Sequence, residues 1–401
     1  MKYGIVAIGY NRLKGLERLL NQLNCCFYDE PIDLIISLDC SENNKLHDFV
    51  YSFRWPYGEK KVIIHSHRLG LKEHVLSCGD LLNKYSLDAI AVFEDDVFPG
   101  YEFFRFMKQA VEYYKDDDNI AGISLYQHRI CASAQLPFTP QNSEYDVYFM
   151  KIAQSWGQVW TKKQWISFKS WYDVNSALWN SSDYVPDNVA QWPKSSWLKY
   201  YWRYCGETNK YFVYPYQALV TCFAEAGEHT IRSSSMLQVP LVTSWEREYH
   251  FADLDSEKAV RYDAFWENEA AAVWCAKRCA ISKDDISIDI YGANRNRMHK
   301  RYWLTQRKEN YKIIASYALE LRPHEMNVLL GVEGNDILLY DTQQYVNNAH
   351  SKKLRYVDFI EYYLTHMFGK KTINKLVTSS YVRSVQDRIK TIIFKMRKRG
   401  R

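Results

Sequence analysis

No stretch of this 401-residue chain approaches the ~18 continuous apolar residues that a membrane-spanning helix needs, so a helical integral membrane protein is not expected. No C-x-x-C pair occurs among its nine cysteines, and their number is odd. That excludes the usual zinc and disulfide frameworks and points to a reducing, cytoplasmic setting. Residues 1–10, MKYGIVAIGY, have no basic n-region or cleavage site and run straight into a strand-like segment, so no cleaved leader is expected. Internal repeats and low-complexity segments are missing as well. Disorder is excluded by a hydrophobic share of 47%.

Charge is present but segregated. Between Lys370 and Arg401 there are eleven Lys and Arg and one acid, Asp387, a local +10 that leaves −5 for the remainder of a chain with net +5. A mildly acidic body argues against nucleic acid as a partner, since such proteins carry their basic patch on the folded domain. Within the tail, Val382, Val385, Ile389, Ile392 and Met396 recur at helical spacing among the cations, the pattern of a basic amphipathic helix. An anionic membrane surface is the partner such a helix suits, with packing on protein as the alternative. The expected place is the cytoplasm, peripherally at the inner face of a membrane. Aromatics are abundant, with 13 Trp, 32 Tyr and 18 Phe. They suit stacking on sugars and bases, although aromatics that merely fill cores give the same share.

Short Ile/Val-rich runs at Tyr3 to Ile8, Asp33 to Leu38, Lys61 to Ile64, Ala89 to Phe93 and Ile120 to Ser124 read as buried strands. Amphipathic patterns between them (Leu13 to Leu23, Leu71 to Leu82, Phe103 to Val111) read as helices. Such alternation predicts βαβ crossovers and a mostly parallel sheet, with a ligand crevice at the carboxyl ends of the strands. Residues 130–235 are irregular and rich in Trp, in the manner of acceptor-site loops. Strand-like segments return at 281–345.

The sharpest chemical signal is Glu94-Asp95-Asp96, three acids ending an apolar strand and followed by Pro99-Gly100. Acids at a buried strand end are expensive unless something binds them. Mg²⁺ or Mn²⁺ prefers hard carboxylate oxygens and takes only one or two from protein, with diphosphate oxygens and water completing the shell. The competing explanation is a helix N-terminus ahead of Tyr101 to Tyr114, whose dipole favours acids without any ligand.

Together with Ile5-Val-Ala-Ile-Gly9-Tyr10-Asn11-Arg12 and with Asp39 closing the second strand, this triplet resembles the GT-A glycosyltransferases. Glu94-Asp95-Asp96 is similar to the E-D-D form of their D-x-D motif, as in bacterial family-2-like transferases and eukaryotic N-acetylglucosaminyltransferases. The resemblance runs over residues 1–235, most strongly to about 125. It implies a GT-A, Rossmann-like α/β fold with a mixed, mostly parallel sheet flanked by helices. The implied divisions are a nucleotide-sugar half at 1–125, an acceptor half at 126–280, a small α+β appendage at 281–368 and the basic helical tail at 369–401.

By the same resemblance, Asp96 binds Mn²⁺ or Mg²⁺, Asp95 the ribose or metal-bound water, and Glu94 supports them. Tyr10, Asn11 and Arg12 line the base and diphosphate, and Asp39 faces base and ribose. Plain structural roles compete: Asn11 as a helix cap, Arg12 as a surface charge, Asp39 as a turn residue. Arg68 or Lys72, at a helix start, can neutralise diphosphate. The segment from Gln154 to Trp160 resembles the family's W-G-W loop, with Trp156 a stacking wall and Gly157 allowing close approach, whereas Trp160 and Trp165 read as core. Ala224 to Thr230 resembles the stretch that closes the site, making His229 a metal or diphosphate contact.

One departure stands out: where inverting relatives carry an acid as acceptor base, Pro193 to Tyr200 has none. Asp183, Asp187, Glu225 and Glu228 are the remaining acids, with Asp187 and Glu228 taken as the catalytic pair. The expected activity is a metal-dependent transfer from a nucleotide-diphosphate sugar, first among them a UDP-sugar. The acceptor is a glycan or lipid-linked molecule of surface polysaccharide or glycolipid synthesis. The alternatives are a non-catalytic sugar- or nucleotide-binding protein and a nucleotidyltransferase. The latter wants a Gly-rich basic loop, and only Gly9 and Gly15 are present.

Overall fold

The computed structural model describes residues 1–348 apart from 135, 178, 180–183, 224, 226–234, 244–246 and 293–299. It has two compact units, and the larger takes in Met1–Arg307 and Tyr311–Tyr345.

The larger unit begins with the expected alternation. Strands β1 (Tyr3–Gly9), β2 (Ile32–Leu38), β3 (Lys60–Ile64) and β4 (Ala89–Glu94) are joined by helices α1 (Leu13–Asn24), α2 (Asn44–Ser52), α3 (Gly70–Gly79) and α4 (Leu81–Lys84). Every residue of β1 and β2 is buried, as runs covered by helices on both faces must be. Helix α1 turns Leu16, Leu19, Leu20 and Leu23 inward, the stripe that its leucine spacing predicts.

After β4 come β5 (Val97–Pro99), α5 (Phe103–Tyr114), β6 (Ile120–Ser124), a short hairpin of β7 (Ile130–Cys131) and β8 (Leu136–Pro137), β9 (Val147–Met150) and β10 (Gln158–Thr161). Then follow α6 (Lys162–Asn175), α7 (Asp187–Ala190), α8 (Trp197–Thr208), β11 (Tyr211–Pro215), β12 (Val220–Cys222) and β13 (Arg261–Tyr262). The central sheet has nine strands in the order β13-β9-β11-β6-β10-β4-β1-β2-β3. Its β3-β2-β1-β4 side is parallel throughout, while β10 runs antiparallel between β4 and β6.

The Trp-rich stretch is largely a second packing layer. Trp160, Trp165 and Trp197 are fully buried, and α6 is fixed by a capping box in which Thr161 and Gln164 exchange hydrogen bonds. A four-stranded sheet follows, ordered β14 (Ile286–Asp289), β15 (Tyr302–Thr305), β17 (Ile337–Tyr345) and β16 (Tyr311–Tyr317). With α9 (Ala270–Cys279) and α10 (Met326–Leu330) it encloses its own apolar cluster around Cys275, Leu304, Val328 and Leu339. None of the nine cysteines forms a disulfide. Among the described residues no helix is long and apolar enough to cross a membrane.

Candidate active site

Register decides which loops meet. Gly9 lies opposite Leu38, and Ile8 opposite Glu94, so the segments Tyr10–Arg12, Asp39–Cys40 and Asp95–Asp96 leave the sheet level with one another. All three emerge at the carboxyl edge, where open α/β sheets bind ligands.

The acid turn is only partly satisfied. Arg12, at the start of α1, donates through Nε to Asp95 Oδ2 at 3.1 Å and through its terminal nitrogen to Oδ1. The same guanidinium lies 3.7 Å from Asp96 Oδ2. Asp95 is 6% exposed, and burial raises its carboxyl above the ordinary range although the guanidinium pulls the other way. Glu94 is raised further, first by burial and then by the negative charge of Asp96 and Asp95. Asp96 Oδ1 is buried and has no hydrogen-bond partner among the described residues. The dipole explanation fails here: β5 and the Pro99-Gly100 turn separate the acids from α5, whose first turn contains no acid.

A carboxylate oxygen buried without a donor is costly, and a hard divalent cation is a ligand that would satisfy it. The donor set fits Mg²⁺ or Mn²⁺ in its sparse form. Among the described residues no three His, Cys, Asp or Glu side chains converge into a cage, so the chain would provide one or two oxygens and the diphosphate and water the others.

Asp39 has a different character. It is 3% exposed and accepts from the backbone N–H groups of Cys40 (2.8 Å), Leu69 (2.8 Å) and Gly70 (2.9 Å), with Arg68 Nε at 3.2 Å. Burial would raise its carboxyl, and the three N–H bonds outweigh that and lower it. Asp39 thereby pins the loop ahead of α3, where Gly70 has φ +75°, a left-handed conformation that favours glycine. Arg68 in turn covers the Tyr10 ring at 3.2 Å from its centroid. Asn11 accepts through its carbonyl and side-chain oxygens from Asn43 Nδ2 at 3.2 and 3.3 Å, and the residue at the helix cap is Arg12. Lys72 pairs with Glu73 at 3.2 Å.

The loop with Trp156 reaches the same neighbourhood through β12, which pairs with β5 immediately after Asp96. Trp156 is half-buried and sits edge-on to Tyr126 with ring centroids 5.0 Å apart. Gly157 has φ +70°, and a Cβ there would come within 2.9 Å of Val220 Cγ2, so its close approach is to β12. Phe223 N donates to the Asp96 carbonyl at 2.8 Å, which brings the chain entering residues 224–230 against the acid turn. Glu225 is held by Arg18 of α1 through two bonds of 2.7 and 3.1 Å, and Arg18 also lies over the Phe223 ring at 3.3 Å.

Asp187 is the first residue of α7 and half-buried, and among the described residues no hydrogen bond or ion pair joins it to the acid turn. Asp183, Glu228 and His229 lie outside the described residues. Trp197 and Tyr200, in the acid-free stretch, are packed inward.

Two features escaped the sequence reading. One is the Arg12–Asp95 pair, which spans 83 positions. The other is Gly15, where a Cβ would stand 2.7 Å from the Asp95 carbonyl oxygen, so that α1 presses on the acid turn only because that side chain is missing. A glycine inside a leucine-rich helix was the available signal.

No known protein family is matched by the sequence, and no curated protein matches it. Among solved structures the chain is similar to S. aureus TarS 1-349, at 13% identity over 55% of this chain and 60% of that one, with a TM-score of 0.37. It is similar to the same protein in complex with UDP-GlcNAc at 14%, over 57% and 60%, with a TM-score of 0.39. It is also similar to the mannosyltransferase PcManGT from Pyrobaculum calidifontis in complex with GDP-Man and Mn²⁺, at 11% over 40% and 44%, with a TM-score of 0.28. The chain thus spans three-fifths or less of the length of these structures.

Proposed function

We propose that this chain is a metal-dependent glycosyltransferase. It would take a sugar from a nucleotide-diphosphate donor, first among them a UDP-sugar, and pass it to a glycan or lipid-linked acceptor in surface polysaccharide or glycolipid assembly. The observation that carries the reading is the buried Oδ1 of Asp96, which has no partner among the described residues, beside two more carboxyl groups at the carboxyl edge of four parallel strands. When bound there, Mn²⁺ or Mg²⁺ would offset the diphosphate charge and so stabilise the departing nucleoside diphosphate. Asp96 holds the ion. Asp95, fixed by Arg12, orients the ribose or an ion-bound water, and Glu94 supports both. Tyr10, Asn11 and Asp39 line the base side, Arg68 and Arg12 the diphosphate, and Trp156 with Gly157 the sugar side. Asp187 is the proposed acceptor base with Glu228 beside it as the other candidate, and His229 closes the shell.

The test is donor hydrolysis across UDP-, GDP-, CMP- and dTDP-sugars, with and without Mn²⁺. One donor class should be hydrolysed only with the ion, and Asp96→Ala should abolish it. If none is bound or hydrolysed, the reading falls. Binding without turnover, even with acceptor, would favour a sugar-nucleotide-binding protein instead, as the acid-free Pro193 to Tyr200 stretch suggests.

The basic tail, which lies outside the described residues, supports peripheral attachment to an anionic cytoplasmic leaflet. Each cation near such a surface contributes about 1 kcal/mol. The full chain should sediment with anionic vesicles and be released by high salt, while a form ending near Phe368 should stay in the supernatant and still bind nucleotide.

A further inference from the structure

At the opposite end of the central sheet lies a shallow cavity, widely open to solvent, that the proposed chemistry does not use. It measures ≈ 610 Å³ and is lined by Tyr3, Tyr113, Tyr249 and Phe251, with Glu30 and Glu112 among its polar residues. The register pairs Tyr3 with Ala89 at the start of β4. The cavity therefore lies about five strand positions, roughly 17 Å, from Glu94.

Its chemistry is specific. Tyr113 is 46% exposed, and its hydroxyl donates to Asp253 Oδ1 at 2.7 Å, which holds the ring as a fixed platform. Tyr3 is 3% exposed and packs edge-on against Phe104, yet its hydroxyl makes no hydrogen bond among the described residues. Burial first, and then the charges of Glu30, Glu112, Asp88 and Asp29, hold that hydroxyl protonated, and Glu30 and Glu112 line the same cavity. Glu30 Oε1 is 3.1 Å from Lys108 and Glu112 Oε1 is 2.6 Å from Lys115, so each carboxylate keeps its second oxygen as an acceptor. Lys108 is also bound by Asp29. Lys108 shared between two carboxylates, with Glu112 beside it, leaves little net positive charge for a phosphate, which argues against a second nucleotide.

Aromatic faces flanked by carboxylate acceptors and a waiting hydroxyl match a pyranose, which offers an apolar C–H face and a rim of O–H donors. The volume lies within the ~300–1,000 Å³ of small-ligand sites. We propose that this cavity is a second carbohydrate-binding site, taking one or two pyranose units of a neutral glycan. The ring of Tyr113 is the stacking platform, and Tyr3, Glu30 and Glu112 bind hydroxyls. That the glycan is a distant part of the acceptor rests on the glycosyltransferase reading; the binding itself does not.

Maltohexaose, cellohexaose and N-acetylchitohexaose are to be titrated into the full chain, with saturation-transfer NMR and calorimetry as readouts and UDP with Mn²⁺ in a parallel arm. At least one oligosaccharide should bind. Tyr113→Ala should weaken it about tenfold, as loss of a stacking ring predicts, and Tyr3→Phe less. Both variants should bind UDP as the unaltered chain does. Failure of all three sugars to bind, or equal binding by Tyr113→Ala, overturns the proposal. Tyr113-dependent sugar binding in a chain that never binds UDP leaves this site standing and removes the catalytic reading.

Discussion

Two groups of buried and half-buried acids in this chain are treated in opposite ways. In one, Asp263 accepts from the N–H groups of Phe265 (2.7 Å) and Glu267 (3.0 Å), and Glu267 from Tyr291 N at 2.8 Å. Asp289 accepts from Thr305 and Arg307, both at 3.3 Å, and Glu325 from the Tyr262 hydroxyl (2.6 Å) and Asn268 Nδ2 (3.2 Å). No oxygen of these four is left buried without a partner. The other group, Glu94-Asp95-Asp96, has among the described residues one guanidinium for three carboxyl groups, and Asp96 Oδ1 has no partner there. Sequence composition does not separate the two, because acids next to aromatics and strands occur in both. What separates them is whether the fold itself supplies the donors. A completed network is a structural element, and an incomplete one is a place for a ligand.

The strongest way to break this comparison is Asp96→Ala. It should reduce UDP affinity in Mn²⁺ by about 100-fold or more in calorimetry, as loss of a direct metal contact implies, with no loss of thermal stability. Unchanged affinity would make the acid turn structural after all. Glu325→Ala should do the reverse. Leaving the Tyr262 hydroxyl and one N–H of Asn268 without their acceptor costs about 1–3 kcal/mol per group, which lowers Tm by roughly 5 °C in a scan while UDP binds as before. Arg12→Met lies between them. It leaves Asp95 buried without its cation, so the ligand-free chain should lose roughly 3 °C in Tm, and Mn²⁺ with UDP should restore most of it.

A further test is the pH dependence of stability. Burial raises Glu94 from 4.5 to about 8 in the folded chain. A carboxyl raised on folding binds its proton more tightly in the native state, so stability is complete below the ordinary value and falls as pH rises through about 8. Ligand-free chain should thus lose denaturant resistance between pH 5 and 8, and Glu94→Gln should flatten part of that slope. A remainder should persist, since burial raises Glu267 in the same direction. Identical slopes in both proteins would mean that Glu94 is already ionised.

The elements carrying a one-dimensional signal were legible. The apolar runs at Tyr3, Asp33, Lys61, Ala89 and Ile120 became β1, β2, β3, β4 and β6 to within a residue, and the leucine stripe became α1 over Leu13–Asn24. Trp160 and Trp165 are core, as their size predicts. Helix α5 was legible as well, from Phe103 on; less legible was the strand Val97–Pro99 between the acids and that helix, which forms because β12 offers it a partner more than 120 residues away in the chain.

What the sequence determined by itself is the alternation of strands and helices, the parallel half of the sheet and the presence of three acids at a strand end. These follow from side-chain periodicity and local apolar content, which need no knowledge of what packs against what. Only the tertiary structure decided which acids would be satisfied. Arg12 reaches Asp95, the loop at Leu69 and Gly70 closes on Asp39, and among the described residues no donor reaches Asp96 Oδ1. Hydrogen-bond donors are short-ranged and directional, so their supply at a given oxygen depends on chain segments that meet across tens of residues, and no local pattern encodes that meeting.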